Sequence, residues 1–263
     1  MTSSSRVPHL LEPYLELPPE GNLSLLTSVL GANANWLVLR HLYSYLRGSS
    51  GEDRDTGVIL VSFLRDGAFW RDGAAKMGLD LDAMSRAGRV VLVDGLTGLI
   101  TGEAPPASTA RKERVLRSSK VVDIKRELET AVADLRTSRK VLIVDQLDAL
   151  LAVTDETTTS LTLQNLLLSL RSFVHSTVAT LSADTPLVAA QATTLEREHA
   201  SLVLSMAHAA DAVLALRMLD TGVARDVSGV VRLTGPAIDG GEPAEFLYHV
   251  AADGGVRVFE RGA

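Results

Sequence analysis

Apolar positions along this chain fall into two kinds of pattern. Residues 58–64 (VILVSFL), 89–94 (RVVLVD), 140–145 (KVLIVD) and 187–191 (LVAAQ) form short, nearly continuous runs, and residues 23–30 form another ahead of Gly31. Such runs predict parallel strands buried on both faces. Between them, apolar residues recur at helical spacing. Helices are predicted to Arg47 after the Gly31 turn, from Phe69 to Met77 with Gly78 as a stop signal, and over residues 119–138 and 197–208. Within 119–138 the inward face is Val122, Leu128, Val132 and Leu135. Residues 160–181 are apolar on most of the circumference and predict a buried helix. The pattern changes after residue 212. Short runs at 212–219, 229–234, 245–250 and 255–260, separated by Gly, Asp and Pro, predict a terminal antiparallel meander.

Alternating strands and helices followed by a meander predict an α/β fold. The sheet is mostly parallel and twisted, with helices on both faces and C-terminal antiparallel strands at one edge. Residues 1–22 contain Pro8, Pro13, Pro18 and Pro19 and read as an arm lying on the surface. Residues 23–263 read as a single domain, with no repeat of fixed period.

Composition narrows the chemistry. A length of 263 residues with 46% hydrophobic content allows a sizeable core. The net charge of −6 rules out a polycation, so a nucleic-acid contact needs a local basic patch or a partner chain. The absence of cysteine excludes disulfides, thiolate zinc sites and a cysteine nucleophile. The six histidines lack ligand-pair spacing, and no G-x-S-x-G elbow occurs. No apolar run approaches the ~20 residues of a membrane helix. A soluble intracellular protein without a membrane partner, metal or cofactor is expected.

The sharpest feature is a phosphate loop that has lost its chemistry. Strand, glycine turn and helix meet at Gly31-Ala32-Asn33-Ala34-Asn35-Trp36. A G-x-x-x-x-G-K-[ST] loop in this place would surround phosphates with backbone amides, neutralise them with Lys and hold Mg²⁺ through a hydroxyl. Only Gly31 remains, while Asn35 and Trp36 stand near the Lys and hydroxyl positions. Asp145 ends a strand of the kind that carries a Mg²⁺-binding Asp in ATPases, although any buried strand can end in a capping Asp, and residues 89–94 repeat the pattern. The second strand ends Val61-Ser62-Phe63-Leu64-Arg65, with no Glu to orient an attacking water. Together these losses argue against ATP hydrolysis by this chain alone.

Basic residues concentrate at Arg111, Lys112, Arg114 and Arg117, after a Pro-rich loop. They suit either a phosphate backbone or a salt-bridged helix start. Loops at the carboxyl ends of parallel strands are where ligands bind in open α/β sheets. One such loop offers Thr193, Thr194, Arg197 and His199 to a ligand or nucleic acid. The loop over 151–159 carries Asp155 and Glu156, which repel phosphate.

The segment 58–72, VILVSFLRDGAFWRD, resembles the signature of the sixth subunit of the Elongator complex, fungal branch. Gly78-Leu79-Asp80-Leu81, residues 89–99 (RVVLVDGLTGL), residues 141–151 (VLIVDQLDALL) and Asp226-Val227-Ser228-Gly229 resemble its other blocks in the same order. The likeness spans about residues 20–260. It implies a RecA-like fold without working Walker motifs. It also implies a heterohexameric ring with the paralogous fourth and fifth Elongator subunits. That ring binds tRNA and joins the catalytic Elongator subcomplex, which modifies the wobble uridine, in the cytoplasm and also the nucleus. Two other readings stay open. One is a composite ATPase, in which Arg217 and Arg225 reach a neighbour's ATP in trans. The other is a degenerate recombination paralogue that binds single-stranded DNA.

Overall fold

The computed structural model describes residues 7–47, 55–102, 113–154, 157–219, 224–238 and 242–260. Its strands are β1 (Leu23–Ser28), β2 (Thr56–Ser62), β3 (Val90–Asp94), β4 (Glu113–Val115), β5 (Arg139–Asp145), β6 (Ser176–Ser182), β7 (Ala212–Arg217), β8 (Gly229–Thr234), β9 (Ala244–Val250) and β10 (Val256–Phe259). They form one sheet in the order β10-β9-β8-β7-β1-β6-β5-β2-β3-β4. From β7 to β4 every pairing is parallel, and β8, β9 and β10 continue antiparallel.

The helices are α1 (Glu12–Leu15), α2 (Asn35–Arg47), α3 (Gly67–Lys76), α4 (Leu81–Arg86), α5 (Val121–Asp134), α6 (Leu150–Val153), α7 (Ser160–Arg171), α8 (Thr185–Ala189) and α9 (Thr194–Ala209). The two-residue period of the strands divides their side chains between two cores. Leu26, Val58, Leu60, Val141, Ile143 and Val178 pack with α2, α3 and α4. Leu25, Ile59, Val61, Leu142, Val144 and Ala179 pack with α5, α7 and α9. Both faces are therefore covered, which is why these strands read as unbroken apolar runs.

The N-terminal segment is fastened rather than merely apposed. Leu11 and Leu15 are fully buried in the first core. The Arg171 guanidinium donates to the Gly21 carbonyl at 2.7 Å, and the His175 ring bonds the Pro18 carbonyl at 2.8 Å.

Four expectations need correction. Residues 160–181 are not one helix: α7 ends at Arg171 and β6 follows. Thr177, Val178 and Thr180 are β-branched, and the strand lies between β1 and β5 with its hydroxyls buried. Residues 187–191 are not a strand. Pro186 sets the first turn of the short, exposed α8 instead. Residues 212–219 contribute β7, which is parallel to β1 and only then starts the antiparallel edge. Val122 faces outward at 79% exposure, and Ile124, Leu128, Ala131 and Val132 form the buried face of α5.

His41 on α2 is fully buried, with the Tyr45 hydroxyl 3.0 Å from its Nδ1. Burial lowers its pKa from 6.5 to about 3. As pH falls, the unfolded chain takes up this proton before the folded one does. The contribution to stability is thus complete above pH 6.5 and lost progressively toward pH 3. We expect His41→Leu to reduce the pH dependence of unfolding in that window by one proton, about 1.4 kcal/mol per pH unit. Denaturant titrations at several pH values check this, and an unchanged slope contradicts it.

Candidate functional site

The carboxyl ends of β1, β5, β2 and β6 meet where a sheet of this kind binds ligands. After β1 the chain turns through Gly31 at φ +90°. A Cβ there would lie 2.9 Å from the Met218 sulfur, a contact the flexible Met side chain can relieve, so it is the positive φ that demands glycine. Three amides around this turn are engaged within the chain. Leu30 N–H donates to the Asp184 carboxylate at 2.8 Å, Ala32 N–H to the Val29 carbonyl at 2.9 Å, and Asn35 N–H to the Asn33 side chain at 3.2 Å. A carboxylate thus sits against the amide just ahead of Gly31, where it repels a phosphate approaching the turn. Trp36 is buried in the first turn of α2, its ring centroid 4.9 Å from that of Tyr248 on β9.

Asp145 closes β5 and is buried. Ser62 Oγ donates to its Oδ2 at 2.7 Å, and Thr180 Oγ1 donates to its Oδ1 at 3.0 Å. Both hydroxyls are fixed in turn, because Arg65 N–H donates to Ser62 Oγ and Gln146 N–H to Thr180 Oγ1. Burial pushes the Asp145 carboxyl above the ordinary aspartate range, against the pull of the two hydroxyls and of Arg65. Both carboxylate oxygens are therefore committed to protein donors.

One turn on, Asp148 and His199 form a second buried pair, with Nδ1 3.7 Å from Oδ2. His199 Nε2–H donates to the Ser182 carbonyl at 2.9 Å, which fixes the ring orientation. Burial raises the Asp148 pKa, and His199 is the largest opposing influence.

The other candidates divide by exposure. Thr193 caps α9 in a reciprocal capping box with Glu196. Thr194 accepts from Arg197 at 3.2 Å, and both are exposed. His199, from the same segment, instead faces the buried Asp148. Arg114 on β4 pairs with Asp134 at 2.6 Å and with Glu127 at 3.5 Å. Arg117 is exposed just beyond it, and Arg111 and Lys112 lie outside the described residues, as do Asp155 and Glu156. Arg217 pairs with Glu245 of the same chain at 3.1 Å, whereas Arg225 is exposed. The Arg114 end of the sheet and the Thr193 loop stay apart. Four strand spacings separate β4 from β6, about 19 Å.

Three contributors were not singled out from the sequence. Thr180 lay inside a predicted helix. Ser62 was weighed only as the absence of a Glu. Asp184 precedes Thr185-Pro186, a helix-start signal, but its carboxylate turns to Leu30 instead of capping.

The family model for Elongation complex protein 6 matches residues 7–244. The chain belongs to that family. It is therefore an Elongator subunit, and the family match gives the recombination alternative no support. The structure is similar to the crystal structure of a KaiC-like protein from the hyperthermophilic archaeon Pyrococcus horikoshii OT3. That likeness covers 98% of both chains at TM-score 0.64 and 15% identity, and it shows the fold alone. The fold is RecA-like, a mostly parallel sheet with an antiparallel C-terminal edge. No curated protein matches the chain. No helix among the described residues is long and apolar enough to cross a membrane.

Ser62→Ala would leave Asp145 Oδ2 without its donor in a buried position. We expect a loss of about 1–3 kcal/mol in unfolding free energy, measured by denaturant titration. A neutral effect would show that the carboxylate is satisfied by other means.

Proposed function

We propose that this Elongator subunit is a non-catalytic member of a heterohexameric RecA-like ring. The ring contains two copies each of this chain and the paralogous fourth and fifth subunits. It binds tRNA and supports wobble-uridine modification by the catalytic subcomplex, in the cytoplasm and also the nucleus. One observation carries the reading: the Asp184 carboxylate is bonded to the Leu30 amide at the Gly31 turn. The turn has no Lys or hydroxyl anywhere from Ala32 through Val38, and Asp184 holds the amide just ahead of Gly31. A carboxylate at this position repels a phosphate instead of receiving it.

The tRNA contact is assigned to the carboxyl edge. Arg117 follows β4, Thr193, Thr194 and Arg197 follow β6, and Arg225 follows β7, all exposed beyond carboxyl ends of parallel strands. His199 orients the start of α9 from beneath. An anionic protein with cations gathered on one edge can bind a phosphate backbone locally. A second reading is favoured by Arg225 alone. It is an exposed cation available to a neighbour's nucleotide in trans, whereas Arg217 is held by Glu245.

The purified chain should not turn over ATP. The double variant N35K/W36T should not gain turnover, because Asp184 and the missing water-orienting Glu remain. Phosphate-release assays check both, and robust turnover by the unaltered chain alone would sink the non-catalytic reading. In the assembled ring, Arg117→Glu with Arg197→Glu should weaken tRNA binding and flatten its salt dependence by about one to two in log–log slope. Unchanged affinity and slope would remove the carboxyl edge from the contact.

A further inference from the structure

A cavity of about 650 Å³ opens between α2, α3 and the turn joining β9 to β10. Its size falls in the range of small-molecule sites. It lies beside the Gly31 turn and is lined by residues with no part in the Asp145 cluster except Arg65.

Its walls are chemically sorted. Arg40 is 3% exposed, and its guanidinium donates to the Met77 sulfur at 3.0 Å and the Gly254 carbonyl at 2.9 Å. Both acceptors line the same cavity. Its Nε has no acceptor, and among the described residues no carboxylate pairs with it. A buried cation without a counter-charge is costly unless a partner completes it. Burial alone lowers its pKa to about 10, with no acidic neighbour acting against that. Arg65 adds a second guanidinium whose buried Nε lacks an acceptor, held 5.2 Å from the centroid of Phe69. Lys76 supplies a third, exposed cation.

The remaining lining defines the body of the ligand. Trp36 and Phe69 present aromatic surface to the cavity, and Asp72 and Asp253 stand on its rim as hydrogen-bond acceptors. Three cations call for one anionic group. Two carboxylates reject a long polyanion and suit hydroxyl donors. Aromatic walls suit a flat ring.

We propose that this cavity binds a small ring-bearing, hydroxylated anion of the nucleoside monophosphate class. Arg40, Arg65 and Lys76 receive the anionic group, and Trp36 and Phe69 flank the ring. The site shares Asn33, Asn35 and Trp36 with the degenerate turn but takes its cations from Arg40, Arg65 and Lys76, and it needs neither Mg²⁺ nor a partner subunit.

The test is isothermal titration of the full chain, without divalent cations, using AMP, adenosine and inorganic phosphate. AMP should bind at one site per chain, and adenosine and phosphate each at least about tenfold more weakly, the worth of a charge-assisted contact. Lys76→Ala and Arg65→Ala should each weaken AMP about tenfold, with circular dichroism confirming the fold. Lys125→Ala, which removes the same charge from α5 on the other face of the sheet, should leave binding unchanged. No AMP binding, binding indifferent to Lys76 and Arg65, or phosphate binding as tight as AMP would each overturn the proposal. Because the lone chain is measured, that failure would not touch the ring assignment.

Discussion

Asp145 accepts hydrogen bonds from hydroxyls on both neighbouring strands, Ser62 on β2 and Thr180 on β6. Three central parallel strands are thereby tied together at the end where a RecA-like sheet places its chemistry. Each hydroxyl is itself held by the backbone amide that starts a loop, Arg65 after β2 and Gln146 after β5. Gln146 adopts a left-handed φ of 58°, so the chain leaves β5 along a constrained path. A buried carboxylate with full hydrogen bonding fixes geometry even where its net contribution to stability is small. The loops that leave this edge inherit their positions from it.

The Gly31 turn is likewise tied into the chain by its own hydrogen bonds. In a phosphate loop, amides at the turn are left open for a ligand. Here Leu30, Ala32 and Asn35 direct their amides to Asp184, Val29 and Asn33, so these three are satisfied within the chain. Gly31 has a structural reason, since its positive φ is one that residues with a side chain rarely adopt. The retained glycine is thus a requirement of the turn and carries no sign of nucleotide binding. These bonds, with the committed Asp145, support the proposal of a subunit whose contribution is its surface.

Much of the fold was legible because burial on both faces writes an unmistakable pattern. Residues 58–64 and 140–145 could hardly be anything but central strands. β6 was not legible. Its Ser and Thr residues interrupt the apolar run, and two of their hydroxyls bond to β5 and the turn after it, Thr180 to Asp145 and Ser182 to the Gln146 side-chain carbonyl. Val122 misled the helical reading because periodicity alone does not say which of two apolar stripes faces inward, and Ile124 takes the buried place. At the candidate site, Gly31, Asn35, Trp36 and Asp145 stood out by departing from a known arrangement. Asp184 lies 154 residues from Leu30, so no local signal ties the two together. The direction of His199 depends on the same long-range packing, through Asp148 and Ser182.

The central claim is that this RecA-like subunit serves as a structural member of a ring. The native mass of the chain co-expressed with the fourth and fifth Elongator subunits, measured with and without tRNA, tests it most directly. The account predicts a hexamer holding two copies of each subunit that takes up tRNA. A lone monomer that associates with neither paralogue would contradict it.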